Sequence, residues 1–268
     1  MSTYKDDIDK MQWSYSRLTS FENCQYEFYL NYIVNNNEEY LREGNYYAEV
    51  GTFVHEILAK IFSGELTTDE ASQYYKDNFK NNVFYKVKKS TMDKTFELCS
   101  NYFENLNFEW LNNYEILGVE LEVKFQIEGY NFLGYIDLLL RNKKDGGIIV
   151  VDHKSAPYPL KCDGTVKKNS KESFEAYKKQ MYLYSHAVKE TYDVFPQKII
   201  WNHFKANGQL VEIPFSDKEY QEAIKWLIDT IHKIESEEDF KPNLDFFYCT
   251  NLCSFRNSCE YAENADWR

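Results

Sequence analysis

The sequence predicts a single α/β unit, and three observations carry that reading. Up to about residue 115 the apolar residues recur at helical spacing. From Ile116 the period switches to the two-residue alternation of strands, and beyond Ile148 strand-like and helix-like segments take turns as far as Ile234. The length, 268 residues, suits one large domain or one domain with an appendage at roughly 100–200 residues per domain. The expected division is a helical part over 1–115, a core over 116–235 and a cysteine-bearing tail over 236–268, all within one domain.

Taken in order, Tyr15–Val34 reads as an aromatic-rich helix beginning near Ser16 or Ser20. Glu49–Phe62 carries Val50, Val54, Ile57, Leu58 and Ile61 on one helical face. Thr68 opens a third helix through Phe79, and Met92–Trp110 is a long amphipathic fourth. Ile116–Ile127 alternates as a strand through Val119, Leu121, Val123 and Phe125, with Glu128-Gly129 as its turn. Phe132–Leu140 and Ile148–Asp152 follow as strands separated by the turn at 143–147. The stretch 156–173, with two prolines, a glycine and several lysines, reads as a loop. Glu172–Val188 is a helix, Lys198–Phe204 and Leu210–Phe215 a strand pair, and Asp217–Ile234 a last helix.

Composition narrows the class. Hydrophobic residues make up 43% and charged ones 28%, which excludes wholesale disorder. Ten glycines and five prolines leave little material for a loop-dominated or fibrous protein. No run approaches the ~20 apolar residues of a membrane span, and Met1–Lys10 is polar without a signal-peptide core. A soluble, cytoplasmic protein with no membrane partner is expected. In that compartment the six cysteines are not expected to form disulfides. The net charge of −12 weighs against a polyanionic partner, but phosphate binding depends on local clusters of Lys and Arg rather than on the sum.

The most informative segment pairs Gly134-Tyr135-Ile136-Asp137 with Val150-Val151-Asp152-His153-Lys154. Alternation along a strand sends Asp152 and Lys154 to one side and His153 to the other. Asp137 ends the preceding apolar strand, so two neighbouring strands can bring two carboxylates and one ammonium together. Such a group suits phosphoryl hydrolysis. Carboxylates hold a hard divalent cation, the cation polarises the phosphate and acidifies a water, and the lysine steadies developing charge. An isolated Asp-x-Lys is more often an ordinary strand-end ion pair, so the reading rests on context.

That context has three further pieces: Gly51-Thr52-Phe53-Val54-His55, with a histidine on an apolar helix; Gln180 and Tyr184, one turn apart on a helical face; and Ser14-Tyr15-Ser16 followed by Cys24. In this order the motifs resemble the RecB-family nucleases of the PD-(D/E)XK superfamily, whose pattern runs Ser-x-Ser helix and cysteine, Gly-x-x-x-His, Gly-x-(Ile/Val)-Asp, (Val/Ile)-Asp-x-Lys and Gln-x-x-x-Tyr. The resemblance implies a restriction-endonuclease-like fold, a mixed central sheet flanked by helices, and a magnesium- or manganese-dependent deoxyribonuclease. It implies His55, Asp137 and Asp152 as metal ligands together with the backbone carbonyl of His153, Lys154 as the catalytic lysine, and Gln180 and Tyr184 as active-site or DNA-contacting residues. The family often carries a glutamate on the first strand. Alternation puts Glu120 and Glu122 on the same side, and Glu120 matches that position better.

Cys249, Cys253 and Cys259 fall within eleven residues, a density that in a reducing compartment points to metal or cluster ligation. A subset of the family, including the AddB helicase–nuclease subunit and CRISPR-adaptation nucleases, holds a [4Fe–4S] cluster on one N-terminal and three C-terminal cysteines. The resemblance therefore implies Cys24 as the fourth ligand, some 225 residues before Cys249. The spacing departs from that pattern: three residues, Thr250-Asn251-Leu252, separate the first tail pair where two are usual, and Gln25 replaces the customary proline. Zinc on the same thiolates and free buried thiols are the alternatives; Cys99 and Cys162 read as packing residues.

Lys161, Lys167, Lys168 and Lys171, with Lys178 and Lys179, cluster after the catalytic strand, and Lys86, Lys88 and Lys89 form a second group. These are the candidates for DNA phosphate contact, with exposed aromatics available to stack single-stranded bases. The leading expectation is a nuclease acting on DNA ends or single strands. The alternative is a non-catalytic or partner-activated subunit of a recombination, CRISPR-adaptation or defence complex. No ATP-binding Gly-x-x-x-x-Gly-Lys-(Ser/Thr) loop occurs, so a helicase would be a separate partner.

Overall fold

The computed structural model describes residues 4–34 and 42–262; residues 263–268 of the expected tail lie outside them. Eight α-helices are described: α1 (Lys5–Ile8), α2 (Tyr15–Asn23), α3 (Gln25–Tyr29), α4 (Tyr46–Phe62), α5 (Thr68–Asn82), α6 (Lys89–Glu104), α7 (Lys171–Tyr192) and α8 (Asp217–Ser236). Five strands, β1 (Tyr114–Ile127), β2 (Tyr130–Asn142), β3 (Ile148–Lys154), β4 (Lys198–His203) and β5 (Gln209–Pro214), form one sheet in the order β1-β2-β3-β4-β5. β2 and β3 are antiparallel, β3 and β4 parallel, β4 and β5 antiparallel. The expected mixed sheet flanked by helices is thus present. Two parallel neighbours need a crossover, and α7 supplies it. The helix ends on Asp193 in the left-handed conformation, φ 58°.

The chain divides into two compact units. One comprises Tyr46–Phe125 and Gly134–Ala223; the other comprises Met1–Asn45, Gln126–Leu133 and Ile224–Arg268. In the first, the apolar stripe of α4 forms because Val50, Phe53, Val54, Ile57 and Leu58 recur every three or four residues. All five are buried, against Tyr75 and Phe79 of α5 and Cys99, Tyr102 and Phe103 of α6. α5 starts on a capping box: Glu70 Oε2 accepts from the Thr67 amide at 3.0 Å and from its hydroxyl at 2.6 Å. A second core lies on the sheet, where Leu138, Leu140, Ile149, Val151 and Ile200 are fully buried. Ile148–His153 is buried without a break, as expected of a central strand covered on both faces.

The other unit corrects the expected first helix. It begins at Tyr15, next to the expected Ser16 rather than at Ser20, and is capped by Ser14, whose hydroxyl accepts from the Arg17 amide at 3.2 Å. It also does not run unbroken to Val34: Cys24 adopts an extended conformation, φ −160°, ψ 110°, and its sulfur accepts from the Glu27 amide at 3.4 Å, so the thiol caps α3. Neither glycine nor proline marks this break. Phe21, Phe28, Tyr29 and Phe240 make the unit's aromatic cluster.

Phe53 is 1% exposed and stacks on Tyr75 with ring centroids 5.6 Å apart. Replacing it by alanine should lower the unfolding free energy by about 3–5 kcal/mol, read from the urea midpoint at unchanged slope.

Candidate active site

Side chains from two elements of the first unit meet the backbone of one residue on a third. The amide of His153, on β3, donates to Asp137 Oδ2 at 2.7 Å, and its carbonyl lies 2.9 Å from His55 Nε2. Asp137 on β2 and His55 on α4 are thereby held against β3. The His153 side chain does point away from the site, as alternation requires. It is fully buried, stacks on Phe62 of α4 at 5.7 Å, and meets Asn202 of β4 through its Nδ1 at 3.0 Å. Asn202 donates in turn to Tyr102 of α6 at 2.8 Å. Burial holds the His153 imidazole neutral, its pKa well below the ordinary value. Asn202, Tyr102 and Phe62 escape sequence reasoning because nothing but their place in space links them to the motif.

His55 turns Nδ1 toward two carboxylates, 3.6 Å from both Glu120 Oε1 and Asp137 Oδ2. Among the described residues, one donor atom from each of His55, Glu120 and Asp137 lies within 4.8 Å of the other two. Glu120 is the glutamate that reaches the histidine. The alternation expected along β1 is interrupted there, because Glu120 has φ 45°, a conformation uncommon outside glycine and worth noting at a functional site. Glu122 is instead engaged with Lys124 at 2.7 Å and the Tyr135 hydroxyl at 2.9 Å.

Asp152 is 4% exposed. Lys154 Nζ lies 3.0 Å from its Oδ1 and 2.9 Å from its Oδ2, with hydrogen-bond geometry to Oδ1 alone, so Oδ2 is buried without a hydrogen bond. The same ammonium donates to Gln180 Oε1 at 2.8 Å and sits 4.7 Å over the ring of Tyr177. Gln180 then donates to the Tyr184 hydroxyl at 3.3 Å. Tyr177, Gln180 and Tyr184 share one face of α7 by their spacing of three and four; Tyr177 carried no motif and was missed. The motif glycine has a steric reason: a Cβ on Gly134 would fall 2.5 Å from Cε1 of Tyr184.

The electrostatics are those of a site short of positive charge. Burial and the neighbouring Asp152 push Asp137 up to about 7, against the opposing pull of His55, the His153 amide and Lys154. Burial disfavours a charged His55, yet Glu120, Asp137 and Asp152 outweigh it and lift the imidazole to about 9. Burial likewise works against the Lys154 ammonium, and Asp152 and Asp137 hold it charged. Three carboxylates crowded around one imidazole, with a buried carboxylate oxygen lacking a hydrogen bond, make an oxygen-rich donor set that suits a hard divalent cation.

The family model of the PD-(D/E)XK nuclease superfamily matches residues 12–260. The chain belongs to the PD-(D/E)XK nuclease superfamily. Among solved structures, the chain is similar to a candidate exonuclease from Eubacterium rectale, with 17% identity and a TM-score of 0.53 over 98% of this chain and 91% of that one, a likeness of fold. Similarity to the structure of SSO0001, at 18% identity over 88% of this chain and 96% of that one, has a TM-score of 0.29, too low to bear on the fold. No curated protein matches the chain. No helix among the described residues is long and apolar enough to cross a membrane.

The lysines expected to touch DNA divide in two. Lys167 is committed to its own loop, donating to the Tyr158 carbonyl at 2.7 Å, and Lys178 pairs with Glu175 and Glu219. Lys161, Lys168 and Lys171 are exposed.

In the other unit, Cys24, Cys249, Cys253 and Cys259 line a single cavity of about 370 Å³ including its mouth, together with Glu27, Tyr248 and Asn243. The Cys24 sulfur also accepts from the Asn243 amide at 3.3 Å, and that of Cys253 from the Phe255 amide at 3.4 Å. Burial and the neighbouring thiols raise the pKa of Cys249 and Cys259; burial and Glu27 raise that of Cys253. Glu27 closes the arrangement, accepting from the Ser254 amide at 2.9 Å and from the Tyr248 hydroxyl. Cys99 is buried in the α4–α6 core and Cys162 is exposed.

The contact at Gly134 makes a quantitative expectation. Gly134→Ala should lower stability by about 1–3 kcal/mol through overpacking against the Tyr184 ring. In a Tyr184→Ala background the same substitution should cost nothing further, a non-additivity read from urea unfolding of the four proteins.

Proposed function

We propose that this chain is a metal-dependent deoxyribonuclease acting on DNA ends or single strands. The observation that carries the reading is the convergence of His55, Glu120 and Asp137 donors beside the Asp152–Lys154 pair. His55, Glu120, Asp137 and Asp152 would hold magnesium or manganese, with the His153 carbonyl, now facing His55 Nε2, as a further oxygen donor. A divalent cation supplies Lewis-acid polarisation of the scissile phosphate and a more acidic water.

The rest is the work of the chain's own groups. Lys154, kept charged by Asp152 and Asp137, presents an ammonium to a pentacoordinate phosphate whose charge grows in the transition state. Gln180 and the ring of Tyr177 fix that ammonium, limiting the reorganisation needed when charge develops. Tyr184 limits the mobility of Gln180. The substrate strand meets exposed Lys161, Lys168 and Lys171, which neutralise phosphates without reading bases. The exonuclease mode is carried over from the candidate exonuclease of similar fold. Separating duplex strands falls to a helicase-type partner, since the chain contains no ATP-binding loop.

Degradation of end-labelled single- and double-stranded DNA, with magnesium or manganese added, tests the reading. Asp152→Ala and Lys154→Ala should each lower the rate by roughly 10²–10³-fold or more, and EDTA should abolish it. Equal activity of wild type and both variants would refute the assignment.

We further propose that the four-cysteine cavity holds a [4Fe–4S] cluster. Four thiolates are its usual ligand set, and backbone amides already donate to two of the sulfurs. A single tetrahedral zinc on the same thiolates is the competing metal. Protein purified without oxygen should contain iron and acid-labile sulfide and absorb broadly in the visible. Cys24→Ser should lose both; stoichiometric zinc in place of iron would decide for the alternative.

A further inference from the structure

Residues 83–88, between α5 and α6, contribute to no catalytic motif. Val83, Tyr85 and Val87 pack against the core formed by α4, α5 and α6. Phe84, Lys86 and Lys88 between them are exposed. The segment therefore lies extended with one face buried, and its other face presents an aromatic ring followed by two ammonium groups, successive members about 6.6 Å apart along the chain. Phe84 is 68% exposed, the most exposed of the large hydrophobic side chains described. Lys86, Lys88 and the exposed Lys89 that follows form no ion pair among the described residues, in a protein of net charge −12.

The segment is also held in place. Glu49, in the first turn of α4, accepts from the amides of both Phe84 and Tyr85, at 2.8 and 2.9 Å. These two bonds to a single carboxylate oxygen join the segment to the helix that carries His55, six residues or about 9 Å further along its axis. A rigid, partly buried edge that exposes a phenyl ring beside unpaired cations is poorly explained by packing, which is served by the other three residues. It matches what a single nucleic-acid strand offers: a base face for stacking and phosphates at regular intervals.

We infer that Phe84, Lys86 and Lys88 form a binding site for single-stranded DNA, Phe84 stacking one base and the lysines contacting the phosphates beside it. The inference rests on the nuclease reading for the identity of the strand, and it adds a contact surface distinct from the catalytic residues. Glu49 acts as a positioning residue, holding the segment against α4.

Fluorescence anisotropy with a labelled oligothymidylate of about 16 nucleotides, in calcium to suppress cleavage, tests the site. Phe84→Ala should bind this strand roughly tenfold more weakly than wild type, yet bind an abasic strand of equal length as wild type does. Lys86→Ala/Lys88→Ala should flatten the dependence of log affinity on log salt by about 1.4, two phosphate contacts at ~0.7 each. All these side chains are exposed, so the variants should fold; their unfolding midpoints verify it. Equal losses on the normal and abasic strands, an unaltered Phe84→Ala affinity, or an unaltered salt slope in the lysine variant would overturn the inference. So would polyglutamate displacing the strand as effectively as unlabelled DNA does, which would mark an acidic-protein surface. If the variants behave as expected but no DNA is cleaved with any metal, the site stands and the nuclease reading fails.

Discussion

The backbone of His153 is the constraint on which the catalytic unit depends. Its amide fixes Asp137 and its carbonyl faces His55, so a displacement of this one peptide would move a carboxylate and an imidazole together. Such a pivot must be immobile, and the surroundings make it so. The main chain is paired with β4 and its amide is held by the Asp137 carboxylate of β2, while the side chain is stacked on Phe62 and bonded to Asn202. The middle residue of the Asp-x-Lys triplet thus has a structural task that its variable letter conceals: its ring anchors the strand from behind while its two neighbours pair with each other on the opposite side.

Holding charge in so enclosed a place is costly, and the site offsets the cost by mutual compensation. Asp152 at 4% exposure is tolerable because Lys154 lies against both its oxygens. Lys154 in turn is tolerable because Asp152 and Gln180 satisfy it and Tyr177 offers its ring face. Removing one partner would strand the other, which is more destabilising than removing both. Around His55 the balance is incomplete. Three carboxylates face one imidazole and one ammonium, and the upward shifts of Asp137 and His55 express that excess. The excess leaves carboxylate oxygens that His55 and Lys154 do not neutralise, independent of any superfamily pattern.

Much of this was legible in the sequence because it is periodic or ordered along the chain. All five strands and the long helices α4, α5, α7 and α8 were expected within a few residues of where they stand, since each carries several apolar residues on one face; the helix expected over Met92–Trp110 instead runs Lys89–Glu104 and ends six residues early. The motif residues His55, Asp137, Asp152, Lys154, Gln180 and Tyr184 do meet, since strand ends and helix turns project them in known directions. What escaped depends on single backbone torsions or on tertiary contact. The break at Cys24 comes from a thiol capping the next helix, in a segment whose composition favours continuation. The turn of Glu120 toward His55 comes with one residue of positive φ inside a strand. Tyr177 and Asn202 belong to the site only through what lies opposite them. The alternation of 83–88 spans too few residues to be told from an ordinary loop.

The charge of the chain shows why a sum is a poor guide to a partner. Lys60, Lys76, Lys124, Lys154, Lys178, Lys189, Lys198, Lys225 and Lys241 each have a carboxylate within ion-pair distance; such lysines are largely neutralised locally and contribute little to the field a ligand meets. Lys86, Lys88, Lys89, Lys161, Lys168 and Lys171 have no such partner among the described residues, and all belong to the unit that carries His55, Asp137 and Asp152. At physiological salt, charges more than about 8 Å apart are screened from one another. A phosphate near these lysines therefore responds to them rather than to acidic residues far across the surface. An acidic protein can therefore carry local groups of unneutralised lysines whose immediate surroundings, rather than the net charge, decide what they attract.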